Sequence, residues 1–144
     1  MRVKIHEVEN ISDDRLTFAV VMAKSNGKKV YVRHRERTTF ELPGGKRESG
    51  ETILECAERE LIEETGAVVF SLVPMFVYEL IEGNQSRFGS VFTTDILGFS
   101  DQLIHEIAEV LLFEEEPGNY TYPETQPILV KEYQQRVSLN DLKN

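Results

Sequence analysis

An α/β fold is predicted, with a mixed β-sheet carrying helices on its two faces. Three observations predict it. β-Branched and aromatic runs dominate the chain, a single helical segment interrupts them at Thr52–Thr65, and a second helical segment closes the sequence. No internal repeat, low-complexity tract or linker divides the 144 residues, so one domain, 1–144, is expected.

The elements follow in order. Thr17–Ser25 and Lys29–Arg35 are strand-forming runs joined by Asn26-Gly27, a strong hairpin signal. Thr39–Leu42 reads as a short strand ended by Pro43-Gly44-Gly45, and the charged segment Lys46–Gly50 as a loop. Thr52–Thr65 is helical, with Glu51 and Thr52 at its start and Gly66 where a C-terminal glycine belongs. Ala67–Leu72, Met75–Ile81 and Ser86–Phe99 read as strands, the last two joined through Gly83-Asn84. Glu109–Phe113 is a further short strand. Pro123 and Pro127 bracket the start of the final helix, which ends near Leu142.

Composition narrows the function classes. The formal net charge of −9, from 25 acidic against 16 basic residues, disfavours gripping a nucleic-acid polymer or an anionic membrane. It suits a protein that meets anionic substrates through cations, and equally one that is charged for solubility. One cysteine, Cys56, precludes an intramolecular disulfide and is compatible with a cytoplasmic location. The N-terminal MRVKIHEVEN lacks a signal-peptide apolar run, and stretches such as Phe18–Ala23 are too short to span a bilayer.

The chemistry lies in Gly45–Ala67. At about 100° per residue, Glu60, Glu63 and Glu64 fall on one narrow sector of the helix. Leu54, Ala57 and Leu61 form the adjoining apolar stripe that is expected to anchor the helix to the sheet. Like charges at this spacing repel by roughly 0.2–0.5 kcal/mol per pair on an exposed helix. Arg59, four residues after Glu55 and four before Glu63, offsets part of the repulsion; a hard divalent cation relieves more. Spacing alone favours a solvated, glutamate-rich helix, because Glu is a common helix former. Gly44 and Gly45 permit close backbone approach and leave carbonyls free as ligands.

This segment resembles the Nudix box, G-x5-E-x7-R-E-U-x-E-E-x-G-U, with U a bulky apolar residue. Gly45, Glu51, Arg59, Glu60, Leu61, Glu63, Glu64 and Gly66 match every fixed position, and only Ala67 is small for its U position. The resemblance implies a Nudix-type α/β/α sandwich with a mixed β-sheet and a loop–helix–loop metal site. It implies Glu60 and Glu64 as the main Mg²⁺ ligands, with Mn²⁺ as a substitute, Glu63 as ligand or general base, and the carbonyl of Gly44 or Gly45 completing the set. Arg59 is expected to orient Glu51 or Glu63. An acidic ligand from beyond the box is expected at Glu106, with Glu109 as second choice. Arg33, Arg35, Arg37 and Lys46, together with Arg47, are candidates to complement substrate phosphates.

Other chemistries lack support. Gly44–Lys46 is not part of a G-x-x-x-x-G-K-[ST] loop, and His6, His34 and His105 show no zinc spacing. Cys56 reads as a buried structural thiol. Phe40, Phe76, Tyr78, Phe88 and Phe92 read mostly as core, with one or two free to stack on a base. The segment Glu82–Gln85 has neither proline nor tyrosine as a subfamily marker. What remains is similar to the compact MutT-type members, implying a small-molecule nucleoside triphosphate, such as 8-oxo-dGTP, cleaved to monophosphate and pyrophosphate. A nucleotide sugar, ADP-ribose or a dinucleotide, and a non-catalytic nucleotide sensor, are the alternatives. Monomer and homodimer are both open.

Overall fold

The computed structural model describes residues 1–100 and 107–143. Its strands are β1 (Arg2–His6), β2 (Leu16–Ser25), β3 (Lys28–His34), β4 (Gly44–Lys46), β5 (Ala67–Val69), β6 (Val73–Glu82), β7 (Gln85–Asp95), β8 (Gly98–Phe99) and β9 (Ile107–Phe113). The helices are α1 (Ile53–Thr65) and α2 (Gln126–Lys143). Seven strands form one mixed sheet in the order β1-β6-β7-β2-β3-β9, with β4 also on β2; β5 and β8 form a separate pair. β2 and β7 run parallel, and the other pairings are antiparallel.

The α/β/α sandwich follows from the period-two alternation in the central strand. Ala19, Val21 and Ala23 point to the face covered by Ile53, Cys56, Ala57 and Leu61 of α1. Val20 and Met22 point to the opposite face, where Leu129 and Val130 of α2 pack with Phe76, Tyr78 and Val91. A strand buried on both faces has to be apolar along its covered stretch, as β2 is from Phe18 to Ala23. Each large apolar side chain there contributes roughly 1.5–3 kcal/mol on burial.

Both hairpins form as expected. Asn26 and Gly27 each take positive φ, 52° and 77°, in the two-residue turn between β2 and β3. Gly83 does so at 61° between β6 and β7. Four boundaries differ from the sequence expectation. β1, with its alternating Val3 and Ile5, pairs with β6 at the sheet edge. Gly44–Lys46 is a strand rather than a turn and loop, because β2 has an open edge that it fills. Thr39–Leu42 makes only isolated bridges, Phe40 to Tyr120 and Val32 to Glu41. The long run Ser86–Phe99 breaks after Asp95, where Ile96 turns into the core and the chain crosses to β5.

Candidate metal and substrate site

The edge of β2 is shared, and that sharing builds the site. Its C-terminal end pairs with β3 through Lys24 and Ser25, its N-terminal half with β4 through Phe18, Ala19 and Val20. The returning chain is tied to both sides. Val32 and Glu41 exchange backbone hydrogen bonds of 2.9 and 3.0 Å, and Val21 N–H donates to the Pro43 carbonyl at 2.8 Å. A Cβ on Gly44 would overlap the Ala19 carbonyl, and one on Gly45 would overlap the Glu60 carboxylate. Glycine at both positions lets the backbone lie against β2 on one side and a glutamate on the other.

Helix α1 is aimed at this turn. Thr52 caps its N-terminus in a reciprocal box with Glu55, and Gly66, at φ 75°, ends it in the left-handed conformation. The buried face is Ile53, Cys56, Ala57, Leu61, Glu64 and Thr65; Leu54 is 42% exposed. Leu54 therefore does not belong to the anchoring stripe. The Ile53-Ala57-Leu61 row faces the sheet, and Leu54 lies one position, about 100°, off it.

That phase buries Glu64, leaves Glu60 half-buried and leaves Glu63 exposed. Glu64 is 7% exposed, accepts the Gly44 N–H at 2.7 Å on Oε1, and lies 3.2 Å from His34 Nε2 through Oε2. Burial pushes its pKa up to about 8, with Glu60, Glu41 and Glu63 adding repulsion and the Gly44 N–H opposing it. Burial also raises Glu60, against the pull of Arg59. Glu63 is more exposed, 3.4 Å from Arg59.

Arg59 holds the cluster together. Its Nε and Nη2 donate to the two oxygens of Glu51 at 2.6 and 3.0 Å, its Nη1 to Glu60 at 2.7 Å, and its Nη2 also to the Lys46 carbonyl at 3.1 Å. These bonds lower the Glu51 pKa and raise that of Arg59 still further. Cys56 is buried, its thiol 3.8 Å from the Gly45 carbonyl and pushed up to about 11 by burial, which suits a structural thiol.

The donor set fits a hard divalent ion. Carboxylates of Glu60 and Glu64 and the glycine carbonyls are oxygen ligands, and a cation removes the penalty that burial places on both glutamates. Among the described residues no three His, Cys, Asp or Glu side chains already converge at ligand spacing. Glu60 is turned to Arg59, and Glu64 to Gly44 and His34.

The remaining expected residues divide. Lys46 lines a cleft of about 420 Å³ that runs from Gly44-Gly45 between the sheet and α2, past Phe18, Tyr78, Leu80, Gln126 and Leu129. Arg37 binds Glu41 at 2.9 Å and Tyr122 at 3.4 Å, both of which line that cleft. Arg35 is exposed. Arg33 and Glu109 pair with each other at 2.8 Å, and Arg47 with Asp13 at 2.8 Å. Glu106 lies outside the described residues.

Sequence reasoning missed Glu41, His34 and Arg87. Glu41 is 6% exposed, bonded to Arg37 and 3.5 Å from His34, which thereby sits between it and Glu64. A lone glutamate inside the apolar run Phe40–Leu42 was the available signal. Arg87 lies with its guanidinium 5.5 Å from the Phe18 ring centroid at the cleft wall; nothing in its local sequence marks it.

An acidic helix edge faces a glycine turn in a two-faced mixed sheet, and comparison with known proteins gives the class to which this arrangement belongs. A NUDIX domain family model matches residues 13–143. The chain belongs to the Nudix hydrolase family and is an enzyme of that class. It is 32% identical over 124 residues to YtkD of Bacillus subtilis (strain 168), whose name provisionally assigns it 8-oxo-dGTP diphosphatase activity; the match covers 85% of this chain and 78% of YtkD. A point mutant of the Bacillus subtilis pyrophosphohydrolase BsRppH superposes with a TM-score of 0.77 at 27% identity, covering 98% of this chain and 89% of that one. The NUDIX domain of Shewanella oneidensis NrtR, solved with ADP ribose, shares the fold at a TM-score of 0.63 and 13% identity, covering 92% and 94%.

Proposed function

We propose that the protein is a Mg²⁺-dependent nucleoside triphosphate pyrophosphohydrolase, releasing nucleoside monophosphate and pyrophosphate. The observation that carries this reading is the position of the cleft. Its one end is Gly44, Gly45 and Lys46, beside Glu60 and the buried Glu64, and its other is an aromatic and aliphatic wall suited to a base. The names of YtkD and BsRppH support it. An oxidised purine such as 8-oxo-dGTP is the leading substrate on the YtkD likeness.

Glu60 and Glu64, with the carbonyl of Gly44 or Gly45, hold the ion, and Glu63 joins them directly or through water. Bound Mg²⁺ supplies Lewis-acid stabilisation of charge on the phosphates. Arg59 keeps Glu51 and Glu60 in place and stays off the substrate. Lys46 and Arg37 complement phosphate oxygens at the cleft mouth. Glu63, the most exposed of the three glutamates, takes the proton from the attacking water.

The test is hydrolysis of a panel of nucleoside triphosphates, 8-oxo-dGTP, nucleotide sugars, ADP-ribose and dinucleotides, with Mg²⁺ and then Mn²⁺, the products separated by anion exchange: monophosphate and pyrophosphate from a triphosphate, two phosphomonoesters from a diphosphate derivative. Turnover concentrated on triphosphates is expected. Turnover of only the diphosphate derivatives would move the substrate class, and none at all would overturn the triphosphate reading.

A further inference from the structure

Gln126, the first residue of α2, places its side chain in the wall of the cleft and is 6% exposed. Its Oε1 accepts the backbone N–H of Leu42 at 2.9 Å. That bond decides the orientation of the amide, since the Leu42 N–H needs an acceptor and an –NH₂ group offers none. The carbonyl is thus committed to the sheet. Among the described residues no protein group takes Nε2, and no fully buried side-chain polar atom lacks a partner, so Nε2 keeps some exposure on a residue that lines the cleft. Around them the wall is Phe18, Tyr78, Leu80 and Leu129. A fixed donor in a mainly apolar wall discriminates strongly, because a ligand that fails to accept from it leaves it unpaired in the complex.

We propose that Gln126 is a specificity-determining residue that selects a 6-oxo purine over a 6-amino purine; the assignment rests on the nucleotide reading above. Glutamine ordinarily reads adenine with both ends of its amide, the carbonyl accepting from N6–H₂ and the –NH₂ donating to N7. Here the carbonyl is occupied by Leu42, so that mode is closed. Guanine and hypoxanthine present O6 and N7, two acceptors, to the same –NH₂ group, whereas adenine sets its own N6–H₂ against it. Oxidation of guanine at C8 leaves O6 as an acceptor and turns N7 into an N–H donor, so in 8-oxoguanine O6 alone accepts from the –NH₂ group.

The experiment is calorimetric titration of the whole chain with GMP, IMP and AMP, run beside pyrophosphate release from GTP, ITP and ATP. GMP and IMP should each bind at least about tenfold more tightly than AMP. Two variants probe the amide. Gln126→Glu keeps an acceptor for Leu42 and loses the donors, and Gln126→Met keeps the volume and loses both. In either variant that melts cooperatively, the GMP-to-AMP ratio should fall to about one. Equal binding of GMP and AMP by the unmodified protein, an unchanged ratio in a folded variant, or no binding of any monophosphate overturns the assignment. Triphosphate cleavage without base preference would defeat Gln126 alone. GMP preference without triphosphate cleavage would defeat the pyrophosphohydrolase reading alone.

Discussion

Replacing Glu64 by glutamine should stabilise the metal-free protein, and the gain should depend on pH in a way fixed by the site. The glutamate is buried, and its pKa rises from 4.5 to about 8 on folding. A carboxyl shifted upward keeps its proton in the folded state while the unfolded chain has lost it, so folding stability falls as pH climbs from about 4.5 to about 8 and is level above that. At about 1.4 kcal/mol per pH unit the shift corresponds to about 5 kcal/mol as an upper bound, lowered by any relaxation around the charge. Glutamine retains the contacts: its Oε1 accepts from Gly44 N–H, and its –NH₂ group faces His34. With EDTA present, urea unfolding at pH 5, 7 and 9 should show the variant ahead by a margin that grows to a few kcal/mol by about pH 8 and then levels. A margin independent of pH, or a variant less stable than the parent at pH 9, would refute the view that Glu64 is a buried charge in want of a cation.

Other substitutions address the supports. Gly45→Ala drives a Cβ into the Glu60 carboxylate and should weaken Mn²⁺ affinity, measured by spin resonance, about tenfold or more. Arg59→Lys breaks the two-pronged bond to Glu51 and should lower kcat about 10- to 100-fold with little change in melting temperature. Thr52→Ala removes the cap of α1 and should cost about 1 kcal/mol in urea unfolding. Leu129→Ala opens a cavity on the α2 face and should cost about 2–5 kcal/mol.

The elements legible in the sequence were those whose local chemistry leaves little choice. Asn26-Gly27 can hold positive φ, Thr52 and Gly66 can cap a helix, and β2 is apolar at a run of positions because both its faces are covered. β4 was not legible, because Gly44–Lys46 has no strand propensity of its own; it is a strand only because β2 offers an unfilled edge. The helix phase was half legible. Spacing put Glu60, Glu63 and Glu64 together, yet only packing tells that Ile53, rather than Leu54, meets the sheet, and hence that Glu64 is sunk and Glu63 is not. Arg87 and Gln126 come from distant strands and helices. Their place in one cleft depends on the β6–β7 register and the seat of α2, which no local pattern encodes.

The most direct measurement is Mn²⁺ binding by spin resonance to the unmodified protein and to the double variant Glu60→Gln, Glu64→Gln, both shown to be folded. The parent should bind the ion and the variant should lose most of that affinity, together with metal-dependent pyrophosphate release. Equal affinity in the two proteins would mean that the acidic edge of α1 does not hold the ion.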